Sequence, residues 1–289
     1  MAGTWNMGPE CFRKRTESRT FTPPKETHTV MISKNRIRLI RSLEHKKFRK
    51  ENRLFVAEGP KVVECLMPAF ACRYLAATPQ WQERYATLWN ALQAQGVEHD
   101  SVSREELERA SLLRSPQEVI ALFQLPQEVL PPPQAAAQEL CLALDGVQDP
   151  GNLGTIVRVA DWFGITHLYC SPDTADLYNP KVVQATMGAL ARVQVHYVDL
   201  PAWLDSLPQD TPVYGTFLDG DHIYGQTLAR QGVIVMGNEG KGIGREVAQR
   251  VNSRLYIPNY PEGQSTSESL NVAIATAVVC AEFRRQHRV

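Results

Sequence analysis

Three features of this chain predict a two-part α/β protein. Short apolar runs bounded by turn residues alternate with helical patterns, a proline- and alanine-rich break divides the chain near its middle, and glycine-rich loops follow strands in the second half. Residues 1–30 are polar, carry Pro23-Pro24 and show no periodic apolar pattern, so disorder is expected there. Met31 opens the first structured stretch and is a candidate for the true start of the chain. From Asn35, the spacing of Ile37, Leu39, Ile40 and Leu43 predicts a basic amphipathic helix. A strand over 54–57, a turn at Glu58-Gly59, a helix over 61–67 and a strand over 74–76 follow. Helices over 81–95 and 104–113, the latter capped by Ser103, lead to a closing strand over 119–124. Residues 31–125 thus form a small α/β domain with a partly parallel sheet.

Pro126, the run Pro131-Pro132-Pro133, Gln134 and three alanines make residues 126–138 a stiff linker. The second domain, 139–289, opens with Leu140-Cys141-Leu142-Ala143-Leu144, a run suited to a strand buried on both faces. A helix over 153–163 and strands over 167–170, 193–198, 213–218, 232–236 and 254–257 precede a last helix over 270–286. This is an α/β domain with a mostly parallel sheet.

Hydrophobic content of 43% and charged content of 21% are those of a soluble globular protein. No apolar run approaches the roughly 20 residues of a membrane span, and no charged-then-apolar leader opens the chain. The six cysteines form no C-x-x-C pair and read as small buried hydrophobes of a reducing cytoplasm. The histidines lack ligand spacing, and no metal is expected. Formal net charge is zero, yet residues 1–60 hold 14 Lys/Arg against 6 Asp/Glu, a surplus of eight. The densest part includes Lys34, Arg36, Lys46, Lys47, Arg49 and Lys50, which make a phosphate-binding footprint or, evenly weighted, a solvated helix face.

The chemistry gathers in three segments with one design: a strand, a Gly/Asn-rich loop, then a helix start. They are Asp-Pro-Gly-Asn-Leu-Gly-Thr-Ile-Val-Arg (149–158), Ile-Val-Met-Gly-Asn-Glu-Gly-Lys-Gly-Ile-Gly (234–244), and Leu-Tyr-Ile-Pro (255–258) continued by Ser-Leu-Asn-Val-Ala-Ile-Ala (269–275). Loops at the carboxyl ends of parallel strands bind ligands in open α/β sheets. No G-x-G-x-x-G follows a strand, Lys241 is followed by Gly242 rather than Ser or Thr, and no G-x-S-x-G is present. Dinucleotide, P-loop and hydrolase-elbow sites are therefore excluded. What remains is a small-ligand site with Arg158, Glu239, Ser269 and Asn271 as polar candidates. Each alone has a plain structural reading: Arg158 as a surface cation, Glu239 as a loop carboxylate, Ser269 and Asn271 as helix caps. Their joint arrangement favours a site.

The three segments resemble, in order, the motifs of the SpoU (TrmH) branch of the SPOUT RNA methyltransferases. The matching residues are Asn152, Gly154 and Arg158; Gly237, Glu239 and Gly240; then Ile257-Pro258 with Ser269-Leu270-Asn271-Val272. Arg-Leu-Phe-Val-Ala-Glu-Gly (53–59) after a basic helix resembles the substrate-binding domain often fused to this family. The resemblance implies a deep trefoil knot in the catalytic domain and S-adenosyl-L-methionine as cofactor. It places Thr216, Phe217, Gly237, Asn238, Gly240, Ile257 and Leu270 around that cofactor. It implies 2′-O-methylation of RNA ribose, with Arg158 polarising the hydroxyl or binding the adjacent phosphate, because a guanidinium is hard to deprotonate. Asn152 and Glu239 would position Arg158 and the ribose, and Ser269 and Asn271 the third loop. A homodimer joined through the knotted domain is implied, with each subunit completing the other's site. Ribosomal RNA is the expected substrate, transfer RNA the nearest alternative, and a non-catalytic RNA-binding or ribosome-assembly protein the alternative of another class. Two departures stand out: a long Ser/Thr/Gly-rich loop over 259–268, and Ala273 where a serine is common.

Overall fold

The computed structural model describes residues 32–127, 134–261 and 269–287. The disorder expected over 1–30, the proline run of the linker and most of the loop 259–268 lie outside the described residues. The first domain opens with two helices where one was expected, α1 (Lys34–Ser42) and α2 (Lys46–Asn52). Ser33 caps α1 by accepting the Arg36 amide, and α2 stops at Arg53, which is left-handed (φ 55°). Next come β1 (Leu54–Glu58), α3 (Pro60–Leu66), β2 (Cys72–Ala77), α4 (Pro79–Arg84) and α5 (Ala86–Ala94). β3 (Glu98–Ser101), α6 (Arg104–Ala110) and β4 (Val119–Gln124) complete the domain. Ser103 caps α6 as expected, within a reciprocal capping box with Glu106. The helix expected over 81–95 breaks at Tyr85 into α4 and α5. β3 was missed because Glu-His-Asp-Ser has no apolar alternation; pairing with β2 makes it a strand. The sheet order is β1-β4-β2-β3, with β2 and β3 parallel and β4 antiparallel to both its neighbours.

At the end of β1, the buried Glu58 carboxylate accepts from the Ser111 hydroxyl and from the Leu112 amide at 2.8 Å. Burial pushes its pKa up, and these two hydrogen bonds oppose the rise. A raised folded-state value favours the neutral acid, so this contribution is present below the ordinary carboxylate range and is lost as pH rises through the folded value. Glu58→Gln keeps the neutral shape and should therefore gain Tm relative to the parent as pH goes from 4 to 7. Parallel thermal melts check this; a difference that does not change with pH sinks it.

The second domain comprises α7 (Ala135–Gln138), β5 (Leu140–Asp145), α8 (Pro150–Trp162), β6 (His167–Cys170), α9 (Pro180–Thr186) and β7 (Gln194–Tyr197). It continues with α10 (Leu200–Asp205), β8 (Val213–His222), β9 (Gly232–Gly237), α11 (Arg245–Ala248), β10 (Ser253–Tyr256) and α12 (Val272–Gln286). The six strands run β10-β8-β9-β5-β6-β7, and every neighbouring pair is parallel. β5 and β9 are buried along nearly their whole length, as the apolar run at 140–144 predicts. The chain leaves β5 towards β6 on one side, while β9 lies on the other. The sheet therefore reverses its order between β5 and β9, the position where open α/β sheets form a ligand crevice. The paired residues Asp145 and Gly237 end those two strands, so the loops that follow start side by side.

The two domains are less separate than the linker suggests. Ala135 and Ala136 pack in one core cluster with residues of β5 and β9, so the helical end of the expected linker belongs to the second domain. Phe55 on β1 meets the Tyr178 ring at 4.9 Å between centroids, and a single apolar cluster runs through both domains. Arg49, expected to contact RNA, is instead 2% exposed. Its guanidinium donates to the Leu43 and Glu44 carbonyls and to Asp176 of the second domain, each at 2.7 Å. An amphipathic helix must send some cations inward when a carboxylate waits there, and residue charge alone does not reveal which.

Candidate active site

The geometry starts at the cap of α8. Asp149 accepts the Asn152 amide at 2.8 Å, and Pro150 fits the first turn, where no backbone donor is needed. Asn152 is thereby held at the mouth of the crevice. Its Nδ2 donates to Glu239 Oε1 at 2.7 Å, and its Oδ1 accepts from Asn271 Nδ2 at 2.9 Å. Asn271 is itself the cap of α12, with Oδ1 accepting from the amides of Ala273 and Ile274. One residue from each glycine-rich segment thus joins a continuous chain, Asn271–Asn152–Glu239. Asn271 fills its structural reading as the cap and also bonds Asn152. Ser269 is exposed and does not cap α12, which begins at Val272.

The second segment closes on itself. Asn238 and Gly242 exchange two backbone hydrogen bonds of 2.9 Å, and Gly242 adopts φ +69°. Asn238 Oδ1 accepts from the amides of Gly240 and Lys241, and its Nδ2 donates to the Gly146 carbonyl at 2.7 Å. The Asn238 side chain is therefore spent holding this loop to the one after β5. A Cβ on Gly237 would lie 2.3 Å from the Gly242 carbonyl carbon, so only glycine permits this close approach. Asp145 accepts the Gly244 amide at 2.7 Å. Burial raises the Asp145 pKa, the Gly244 bond opposes this, and the charge of Asp173 adds to it. Asp145 escaped the sequence reading, because a lone acid at a strand end carries no spacing signal; Asp149 was named as the start of the first segment, without its capping role.

Arg158 does not join the chain. It lies on α8 and is exposed, and among the described residues its guanidinium makes neither a hydrogen bond nor an ion pair. Asn152 bonds Glu239 and Asn271, and neither Asn152 nor Glu239 bonds Arg158. Of the residues expected around the cofactor, Gly237 ends β9, Thr216 and Phe217 lie within β8, and Leu270 precedes α12. β8 pairs with β9 as far as Gly215, after which come Thr216 and Phe217. Thr216 Oγ1 lies 3.9 Å from Met236 Sδ, one residue before Gly237. Ile257 follows β10, and Leu270 is 50% exposed. Accessible apolar side chains beside strand-end backbone groups suit a nucleoside, which needs flat apolar walls and main-chain polar partners.

Of the expected RNA contacts, Lys34, Lys46, Lys47 and Lys50 are exposed. Arg36 is paired with Glu98 and lies 4.2 Å above the Tyr74 ring. No helix among the described residues is long and apolar enough to cross a membrane.

The SpoU rRNA Methylase family matches residues 139–281, and the MRM3-like substrate binding domain matches residues 34–121. The solved structure of a putative TrmH-family RNA methyltransferase from Porphyromonas gingivalis is 41% identical, with a TM-score of 0.75 over 89% of this chain and 100% of that one. This chain belongs to the SpoU family of RNA methyltransferases. A second solved structure, the AdoMet-bound rRNA methyltransferase of Sinorhizobium meliloti, is 30% identical, with a TM-score of 0.74 over 88% of this chain and 95% of that one. The 23S rRNA (guanosine(2553)-2′-O)-methyltransferase of Bacillus subtilis is 34% identical over 54% of this chain, a match spanning 62% of that relative's length. In this SpoU chain the three loop motifs converge on Asn152, and the matched substrate-binding domain carries the exposed lysines of α1 and α2.

Proposed function

We propose that this protein transfers the methyl group of S-adenosyl-L-methionine to a ribose 2′-hydroxyl of ribosomal RNA. The observation that carries the reading is the Asn271–Asn152–Glu239 chain, which locks three separate loops into one site at the sheet's reversal point. The sulfonium of the cofactor supplies an electrophilic methyl, so the protein's task is alignment of the hydroxyl and removal of its proton. Glu239 engages Asn152 through Oε1, and its Oε2 can accept the hydrogen bond of the ribose hydroxyl and take its proton as the methyl leaves the sulfonium, which becomes a neutral thioether. Arg158, a donor with no protein partner among the described residues, binds the phosphate beside the target ribose. Gly237, Thr216, Phe217, Ile257 and Leu270 hold the nucleoside, with Asn238 and Gly240 shaping the loop beneath it. Ser269, at the mouth of the third loop, borders the ribose. The lysines Lys34, Lys46, Lys47 and Lys50 carry flanking RNA. The separation of Arg158 from the Asn152 chain favours a homodimer in which one protomer's Arg158 serves its partner's site. The knot belongs to this reading, as does a cytoplasmic location, which suits the free thiols of Cys65, Cys72, Cys141, Cys170 and Cys280.

The test is incubation of the protein with methyl-labelled S-adenosylmethionine and, in parallel, ribosomal RNA fragments or transfer RNA, followed by alkaline hydrolysis. Label in an alkali-stable dinucleotide supports ribose methylation; label on a base, or on no RNA, overturns it. Label confined to transfer RNA would replace the substrate and keep the chemistry. Gly237→Ala should weaken cofactor binding by about tenfold to a hundredfold in isothermal titration, because forcing the 238–242 loop open costs about 1–3 kcal/mol of strain. Unchanged affinity would remove Gly237 from the site.

A further inference from the structure

We infer that Arg254 is a positioning residue that shapes the cofactor-binding wall by tying down an excursion of β8. The inference rests on the cofactor reading above. β10 pairs with β8 at Ser253–Tyr214 and Arg254–Gly215, and then the next residue, Leu255, pairs with Asp221. Five residues of β8, 216–220, are thus bypassed between two consecutive residues of β10. They lack a ladder partner on the other side too, since the β9 pairing ends at Gly215. An excursion of this kind re-aims side chains beside a binding site but leaves its backbone weakly held.

The residues at its two ends explain how it closes. A Cβ on Gly215 would sit 2.6 Å from Phe217 Cε2, so the ring folds back over the Gly215 backbone. A Cβ on Gly220 would sit 2.6 Å from the Leu255 carbonyl carbon, so the returning strand presses against β10. Arg254 stands at the register break and reaches both halves of the excursion. Its guanidinium carbon lies 3.5 Å from the centre of the Phe217 ring, and its Nη2 donates to Asp219 Oδ1 at 2.5 Å. A planar guanidinium can stack on a ring and pair with a carboxylate at once, which a lysine ammonium cannot reproduce. Arg254 therefore fixes the orientation of Phe217 and, through the same segment, the placement of Thr216 beside Met236 and Gly237. Both Arg254 and Asp219 are solvent-exposed at this ion pair, so its contribution to global stability is small and its effect is local.

The experiment compares the full-length protein with Arg254→Ala and Arg254→Lys by titration with S-adenosylmethionine, ligand-free thermal melts and ligand-free hydrogen exchange. Arg254→Ala should raise Kd about five- to tenfold, the combined effect of an exposed cation–π contact and its ion pair. The ligand-free Tm should hold while amides of 216–220 exchange faster, and Arg254→Lys should restore only part of the affinity. Unchanged Kd in Arg254→Ala, with the parent binding normally, overturns this inference alone. A Kd change matched by a fall in Tm and by faster exchange across the whole sheet also overturns it, as a merely structural role. A parent protein that fails to bind the cofactor overturns the cofactor reading and this inference together.

Discussion

Asn152→Ala lowers kcat/KM for RNA methylation by about 10²–10³-fold, the loss seen when one preorganised polar group is removed from a reacting site. The reason lies in its position. Asn152 bonds both Glu239 and the Asn271 cap, so its removal breaks the side-chain link between those two loops and leaves the Asn238 contacts in place. The helix start should survive, because the cap uses the Asn152 backbone amide and the Asp149 side chain. The ligand-free Tm should therefore fall little, separating a site effect from a folding effect. Asn152→Asp is expected to be at least as damaging. It replaces the donor facing Glu239 with a second carboxylate, and like charges at hydrogen-bond distance repel. Arg158→Ala differs in kind: by binding phosphate it should raise the RNA KM and leave cofactor affinity unchanged. Steady-state kinetics with both substrates varied checks all three variants. An Asn152→Ala enzyme within a few-fold of the parent would remove the polar chain from the mechanism.

Arg49→Ala destabilises the folded protein by about 3–5 kcal/mol, the cost of leaving a buried charge pair with one partner. The Arg49 side chain is 3% exposed and that of Asp176 18%, so water compensates little for the loss. The Leu43 and Glu44 carbonyls lose their donors as well, which loosens the turn between α1 and α2. Arg49→Met refills much of the volume but leaves Asp176 unpaired, so it should recover only part of the loss. Urea unfolding of the three proteins measures this. A loss under about 1 kcal/mol, the range of exposed pairs, would mean that the bridge is solvated in solution. Because the bridge joins α2 to the segment after β6, the variant should also methylate RNA poorly at temperatures where it remains folded. The exposed lysines of α2 would no longer stand at a fixed place relative to the catalytic loops.

Most of the architecture was legible because its signals are local. The apolar run at 140–144 read as a buried strand, since helices cover both faces of a parallel sheet, and 232–236 read as a further strand. Ser103 read as a cap because its capping partner lies three residues on. Where the signal was not local, the reading failed. Glu-His-Asp-Ser became β3 only through pairing with β2, and Arg49 turned inward to meet Asp176 at 2.7 Å, a partner 127 residues away in sequence.

The same division holds for the site. The sequence alone was enough to nominate the candidate residues, because the three motifs keep their order and their polar residues Asn152, Arg158, Glu239 and Asn271 despite the long third loop. It also determined the glycines, whose missing side chains are required wherever backbone meets backbone. Only the tertiary structure decided the connections: that Asn152 binds Glu239 and Asn271, that Arg158 stands apart, and that Arg254 reaches across a strand break to Phe217. Hydrogen bonds and stacked charges act over a few ångströms in space, and separation along the chain carries no record of that distance until the sheet has formed.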